Sequence, residues 1–251
     1  MRIGITGAKG FIGSHIAAAL KEKKNVKISF FDLPEGNLLE SGEALKKFVK
    51  GKDAIIHAAA INRGTNTEVV AGSVVATYNL ISVTEKLKIR PKLIFLSSIQ
   101  VEIGTLYGKS KELAEIMLED FSSQYKIPVS IFRLTNVFGE GCRPFYNSVM
   151  ATFCYQVANG QELTINPQSR NKKFNLIYVG DVAKMIKAET FRRRKSPFYF
   201  KRIDSKNKIT IAELAKLIQS FKNPEKMPKL KLKFERDLYK TYLLYQRKSV
   251  L

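Results

Sequence analysis

The chain has 251 residues, 45% hydrophobic and 26% charged, with 43 basic against 22 acidic side chains and a net charge of +21. These values exclude a disordered, collagenous or low-complexity chain, and the length suffices for a core that needs no disulfide or metal staple. Residues 184–251 alone hold 20 basic and 6 acidic side chains. That excess reads as a solvated basic surface serving an anionic ligand, with nucleic acid not expected as a partner.

Residues 2–6 read as a short apolar strand. Residues 11–22 read as a helix with Ile12, Ile16, Ala19 and Leu20 at helical spacing. Further strands fall at 27–31, 54–57, 92–97 and 129–132, with helices at 41–49, 68–88 and 107–125 between them. Alternating strands and helices imply parallel βαβ units. The expected fold is therefore α/β, a Rossmann-like doubly wound parallel sheet with a small C-terminal substrate-binding segment. Residues 1–160 form the expected dinucleotide-binding core, and 161–251 the smaller segment interleaved with it. Past the core's last strand the pattern predicts a helix at 147–158, strands near 163–165 and 176–179, and helices from Asp181 and over 210–221. Thr210, three residues before Glu213, suits the N-cap of the last of these. The longest apolar run, 54–61, is broken by His57 and is too short to cross a bilayer. Met1-Arg2 leads straight into a strand without signal-peptide character. Cys142 and Cys154 match no metal or redox spacing, so no metal site and a cytoplasmic setting are expected.

Thr6-Gly7-Ala8-Lys9-Gly10-Phe11-Ile12-Gly13 joins the first strand to the first helix. Gly7 allows a tight turn, Gly10 lets backbone approach a pyrophosphate, and Gly13 lets the helix pack on the strand. The helix start at Phe11 and Ile12 then offers N–H groups to phosphates. Lys9 is either a phosphate contact or an exposed lysine. Asp32 follows the second strand, where an acid binds ribose hydroxyls and repels a 2′-phosphate, which favours NAD over NADP. Ala58 and Ala59 are small enough for a cofactor to lie across their strand end. His57 and His15 are read as packing residues.

Tyr107 and Lys111 are four apart on one helix and share a face. An ammonium there, with a cationic nicotinamide, is expected to lower the phenol's proton affinity and let Tyr107 exchange a proton with a carbinol or carbonyl. Lys111 also suits the cofactor ribose. Ser98 ends the fourth strand, at the edge where such sheets bind ligands.

The glycine loop, Asp32, Ser98 and Tyr107-x-x-x-Lys111 together resemble the extended short-chain dehydrogenase/reductase superfamily, and the likeness runs nearly the length of the chain. Residues 74–80, Arg133-Leu134-Thr135-Asn136-Val137-Phe138-Gly139 and Ile177-Tyr178-Val179-Gly180-Asp181-Val182 are similar to its later landmarks. Ser97-Ser98-Ile99-Gln100, the short link to Tyr107, residues 57–63, 142–155 and 234–243 resemble more closely the reductase half of the bifunctional capsular-polysaccharide enzymes (CapF type). That resemblance implies NAD(P)H-dependent reduction of the C4 ketone of a UDP-2-acetamido-2,6-dideoxy-4-keto-hexose, with Ser98, Tyr107 and Lys111 catalytic. It implies substrate contacts at Ser98, Gln100, Asn136, Arg143 and Asn147, with Asn136 also near the cofactor. It also implies a homodimer built through two helices.

Three departures stand beside the resemblance. The chain stops at Leu251, about where that family's cupin begins, so the C3 epimerase activity is not expected within these residues: either a separate protein supplies it, or the chain is a piece of a longer one, or the substrate differs. Asp32 favours NAD where that family uses NADPH. Phe174-Asn175 occupy the place of the superfamily's Arg-Asp, leaving Lys172, Lys173 or Arg143 for the diphosphate. The alternatives are a UDP-sugar 4-epimerase and, from another class, a non-catalytic NAD(P)-binding or RNA-binding protein. A 4,6-dehydratase fits less well, because Ile99-Gln100 follow Ser98 where those enzymes carry Asp-Glu.

Overall fold

The structure, a computed structural model, describes residues 1–223, 225 and 229–248. In chain order the elements are β1 (Arg2–Thr6), α1 (Phe11–Lys21), β2 (Lys27–Phe31), α2 (Glu43–Val49), β3 (Ala54–His57), α3 (Asn66–Ala71), α4 (Val74–Lys86), β4 (Lys92–Ser98), α5 (Gln100–Ile103) and α6 (Leu106–Tyr125). They continue with β5 (Val129–Leu134), β6 (Asn136–Phe138), α7 (Val149–Ala158), β7 (Lys173–Tyr178), α8 (Val179–Phe191), β8 (Phe198–Ile203), β9 (Lys208–Thr210), α9 (Ile211–Ser220) and α10 (Lys233–Lys248).

The chain forms two compact units, Met1–Leu134 with Ala183–Ile203, and Thr135–Val182 with the remainder from Asp204. The contacts thus divide at Thr135, Ala183 and Asp204, against an expected division at 160. In the first unit a parallel sheet runs β2-β1-β3-β4-β5-β8. The chain steps outward from β1 to β2 and then back to β3 on β1's other side. That reversal leaves a crevice at the carboxyl ends of β1 and β3, the usual ligand position in such sheets. The inner strands β1, β3, β4 and β5 are near-continuous buried runs, as burial on both faces requires, while the edge strands β2 and β8 are partly exposed. Ile55, Leu93, Phe95, Val129 and Ile131 pack with Leu45 and Phe48 of α2, Leu80 and Val83 of α4, and Leu118 of α6. Burying such side chains contributes roughly 1.5–3 kcal/mol each before the entropy cost of ordering them.

Two expected features of this unit differ. The predicted 68–88 helix is two helices, α3 and α4, interrupted at Gly72-Ser73. A Cβ on Gly72 would lie 2.6 Å from Ile61 Cβ, so the break seats the chain against Ile61. Arg194, within the basic stretch 184–251 expected to form a solvated surface, is engaged in the first unit instead. It reaches buried Glu189 with Nε at 2.9 Å and a second nitrogen at 2.6 Å, and Lys92 and Ser130 donate to the same carboxylate. Burial opposes ionisation of Glu189, but the hydrogen bonds from Arg194, Lys92 and Ser130 outweigh it and hold the carboxyl down to about 2.

In the second unit β7 pairs in parallel with β6 and antiparallel with β9. Thr210 caps α9 in the expected box, accepting from Glu213 N–H at 3.1 Å while Glu213 accepts from Thr210 N–H at 2.8 Å. α7, α9 and α10 pack together, with Phe221, Tyr239 and Tyr242 forming an aromatic cluster. The expected strand at 163–165 is absent. Leu163 and Ile165 alternate with exposed neighbours as a strand would, but no strand pairs with them. Among the described residues no helix is long and apolar enough to cross a membrane, and no group of His, Cys, Asp or Glu is arranged to hold a metal. Both cysteines are free and buried, and burial raises their thiol pKa values.

Candidate active site

Gly7 follows β1 with φ +74°, a conformation that L side chains rarely adopt, and a Cβ there would lie 2.6 Å from Ala59 N. The loop can therefore lean on the end of β3. A Cβ on Gly13 would lie 2.0 Å from Gly7 O, so α1 starts directly against the turn. Gly10 is the N-cap. No side chain caps the helix, and its first turn carries no acid. A helix start left without a capping side chain or a negative charge suits a dinucleotide's pyrophosphate.

Asp32 is half-buried, and its carboxylate accepts from Ala8 N–H at 3.0 Å. This ties the end of β2 to the glycine loop. Lys9 is engaged with Glu35 Oε2 at 2.8 Å and Leu33 O at 3.1 Å. Ala58 and Ala59 are half-buried; Ala58 N–H donates to Thr6 O and Ala59 N–H to Thr6 Oγ1. His57 is buried between Thr6 Oγ1 at 2.8 Å and Thr77 Oγ1 at 3.2 Å. Burial, helped by the charge of Lys111, pushes its pKa down to about 3, so it is neutral packing, as read from the sequence.

Ser98 closes β4, and its Oγ accepts from Gln100 N–H at 3.2 Å. The short link to Tyr107 is taken up by the single turn of α5, which Gly104 ends in the left-handed region. Thr105 then caps α6 by accepting from Gly108 N–H at 3.0 Å. A Cβ on Gly108 would lie 2.0 Å from Gln100 O. Glycine there lets α6 start against α5, bringing Tyr107 back toward the strand end that carries Ser98. One turn on, Lys111 is fully buried. Its ammonium donates to Leu96 O at 3.1 Å and sits 4.4 Å above the Phe95 ring and 5.9 Å from the Tyr107 ring centre.

The electrostatics here differ from expectation. Burial pushes the Tyr107 phenol up to about 12 rather than down. Burial also pulls Lys111 down to about 7, with Glu115 opposing the fall. The sequence reading counted charges but not the desolvation that favours both neutral forms.

Asn136, Arg143 and Asn147 belong to the second unit. Asn136 opens β6 and donates to Asn175 O at 3.2 Å. Arg143 stacks on Tyr146, its guanidinium carbon 5.3 Å from the ring centre. Asn147 is exposed just before Ser148, the N-cap of α7. Sequence reasoning missed one further group, the Glu115 carboxylate and the Arg133 guanidinium, joined at 2.9 Å and 2.5 Å. The only signal for it was the four-residue step from Lys111 to Glu115.

Reduction or oxidation at a sugar carbon needs a dinucleotide cradle and a proton donor at one sheet edge, and the extended short-chain dehydrogenase/reductases meet that need with this architecture. The chain belongs to the NAD dependent epimerase/dehydratase family, whose pattern matches residues 3–190. It is 32% identical to a UDP-2-acetamido-2,6-beta-L-arabino-hexul-4-ose reductase of Pseudomonas aeruginosa, across 98% of this chain and 65% of that protein. It superposes on the capsular polysaccharide assembling protein CapF of Staphylococcus aureus with TM-score 0.79 and 31% identity, covering 99% of this chain and 66% of CapF. The chain thus spans about two thirds of the length of these relatives. A Thermotoga maritima UDP-glucose 4-epimerase, at TM-score 0.84 and 19% identity over the whole of both chains, shares the fold.

Proposed function

We propose that this chain is an NAD(P)H-dependent reductase of the C4 ketone of a UDP-2-acetamido-2,6-dideoxy-4-keto-hexose, serving surface-polysaccharide synthesis. The observation that carries the reading is the likeness to the P. aeruginosa reductase, which runs over nearly the whole chain. The nicotinamide cofactor, when bound, supplies the hydride. Tyr107 gives its phenolic proton to the oxygen that develops at C4, and Ser98 donates a hydrogen bond to that oxygen. Lys111 orients Tyr107 and holds the cofactor ribose. Gly7, Gly10, Phe11, Ile12 and Gly13 hold the pyrophosphate, with Ala58 and Ala59 beneath the cofactor. Gln100, Asn136, Arg143 and Asn147 bind the sugar nucleotide.

NAD is the favoured cofactor. Asp32 is fixed on Ala8 N–H, and Lys9, the cation nearest to it in the loop, is paired with Glu35. A second copy covers the exposed Val75 and Tyr78 of α4 and Leu106, Leu113 and Ile116 of α6, giving a homodimer. The enzyme works in the cytoplasm.

The test mixes purified protein with NADH or NADPH and the 4-keto sugar nucleotide made in situ, with a C3 epimerase added or omitted. Stoichiometric loss of reduced cofactor is expected, faster with NADH. Interconversion of C4 epimers with no net cofactor loss would replace the reductase by an epimerase.

A further inference from the structure

The fully buried Lys111 leaves a charged group close behind it. Glu115 lies one helical turn further along α6 and is 6% exposed. Residues four apart share a helix face, so its carboxylate lies on the Lys111 side of α6. The Arg133 guanidinium approaches that carboxylate from β5 in a forked grip. Its Nε lies 2.9 Å and 3.1 Å from the two oxygens, and a terminal nitrogen 2.5 Å from one of them. Such a fork fixes orientation as well as charge. Arg133 is opposite Ser97 in the β4–β5 ladder, one residue from Ser98. The chain of charges continues outward. Arg133 is 3.9 Å from Glu102, and Glu102 accepts from Arg202 of β8 at 2.8 Å.

A buried pair of this kind is poor evidence for stability, since desolvating both ions costs about what their attraction returns. Its position behind a buried lysine gives it a different use. We infer that Glu115, held in place by Arg133, is a positioning residue that favours the charged form of Lys111 beneath Tyr107. The inference rests on the reading of Tyr107 and Lys111 as the proton-handling pair and adds the residue that sets that pair's charge.

The other groups facing Lys111 do not replace Glu115. From β3, His57 is neutral. From β4 come a carbonyl, Leu96 O, and the face of Phe95. From its own helix comes Tyr107, a phenol that burial keeps protonated. Arg133 is a cation and acts on Lys111 favourably only through the carboxylate it holds. Glu112, also on α6, is paired with Lys109 at the surface.

The experiment follows the Lys111 titration directly by NMR in full-length protein carrying ¹³C at the lysine ε-carbons, with the signal assigned through Lys111→Met. Removing a nearby negative charge disfavours the ammonium, so the sign is downward. Glu115→Gln is expected to lower the midpoint by about one pH unit, a tenfold loss of proton affinity. Glu115→Asp should lower it less, and Glu112→Gln should leave it in place. The pH above which reductase turnover declines should fall together with the midpoint. The titration reads Glu115 whether or not the sugar reading holds, so the two can fail separately. If Glu115→Gln does not fold, Glu115→Asp decides alone, with a lowered midpoint expected. A midpoint that stays put in the folded variants, or moves as far in Glu112→Gln, overturns the inference.

Discussion

Gly108→Ala separates site geometry from stability more sharply than any change to a reacting group. The added Cβ would stand 2.0 Å from Gln100 O, where ordinary contact begins at 3.4 Å, so the start of α6 must retreat from α5 by about 1.4 Å. Overpacking of this kind costs roughly 1–3 kcal/mol. Alanine is a better helix former than glycine by about 1 kcal/mol, which offsets part of that cost. The net loss is about 1 kcal/mol, or roughly 2–4 °C in Tm for a chain of this length. Turnover should suffer far more. Tyr107 rides on the displaced turn, and a misplacement of about 1 Å costs on the order of 100-fold in rate. The glycine loop, on other elements, is untouched. Reduced-cofactor consumption, thermal melting and cofactor binding measured together should show turnover down about 100-fold, Tm down a few degrees and binding retained. Wild-type turnover in Gly108→Ala would refute the argument that close α5–α6 contact sets Tyr107, and a Tm drop beyond 10 °C would show that the damage is not local.

Three further outcomes are expected. Tyr107→Phe should abolish ketone reduction while cofactor binding, read by fluorescence titration, stays within a few-fold; turnover at the wild-type rate would remove Tyr107 from the reaction. Asp32→Asn should narrow the preference for NADH over NADPH by roughly tenfold, as the repulsion of a 2′-phosphate is lost, and an unchanged ratio of binding constants would mean that Asp32 does not face the ribose. Glu189→Gln tests the buried cluster of the first unit. The Glu189 pKa is about 2 in the fold against an ordinary 4.5, so its contribution is present above pH 4.5 and lost as pH falls toward 2. The shift corresponds to at most about 3 kcal/mol at pH 7 and a Tm fall of roughly 6–12 °C. The gap between variant and wild type should close on acidification, and a gap equal at pH 7 and pH 3 would contradict the assignment.

The legible parts of the fold were those with one strong local cause. β1, β2 and β3 are short apolar runs bounded by polar or glycine-rich turns, and their limits coincide with the expected ones. The capping box at Thr210 was readable because both partners lie within four residues. The break between α3 and α4 was not, since the reason Gly72 stops the helix is the approach of Ile61, a tertiary contact. Leu163 and Ile165 failed in the opposite way: the alternation is there, but a strand needs a neighbour. β6 and β9, three residues each, are too short to carry a pattern. In the site, the Ser98–Tyr107–Lys111 spacing was visible because α5 and α6 follow β4 directly. The Arg133 grip on Glu115 was not, because it joins a strand to a helix across 18 residues of sequence.

The reversed pKa of Tyr107 bears on the direction of the chemistry. Burial pushes the phenol up to about 12, so its resting form at pH 7 is the protonated one. Ketone reduction begins with this group as an acid, so its resting form is already the reactive one. Oxidation of a carbinol, the opening step of a 4-epimerase, begins with it as a base, so the phenol must first lose its proton against the burial that favours it. A charged Lys111 lessens that cost, yet with its own pKa near 7 it is only about half charged at neutral pH. The two directions therefore have opposite pH dependence. Reduction is fastest where both Tyr107 and Lys111 hold their protons, and it weakens as pH rises through 7. Oxidation gains from every phenolate that rising pH supplies. A site that buries its lysine fully and holds its half-buried tyrosine protonated is set to give a proton, and the same burial leaves the lysine's charge dependent on the carboxylate one turn behind it.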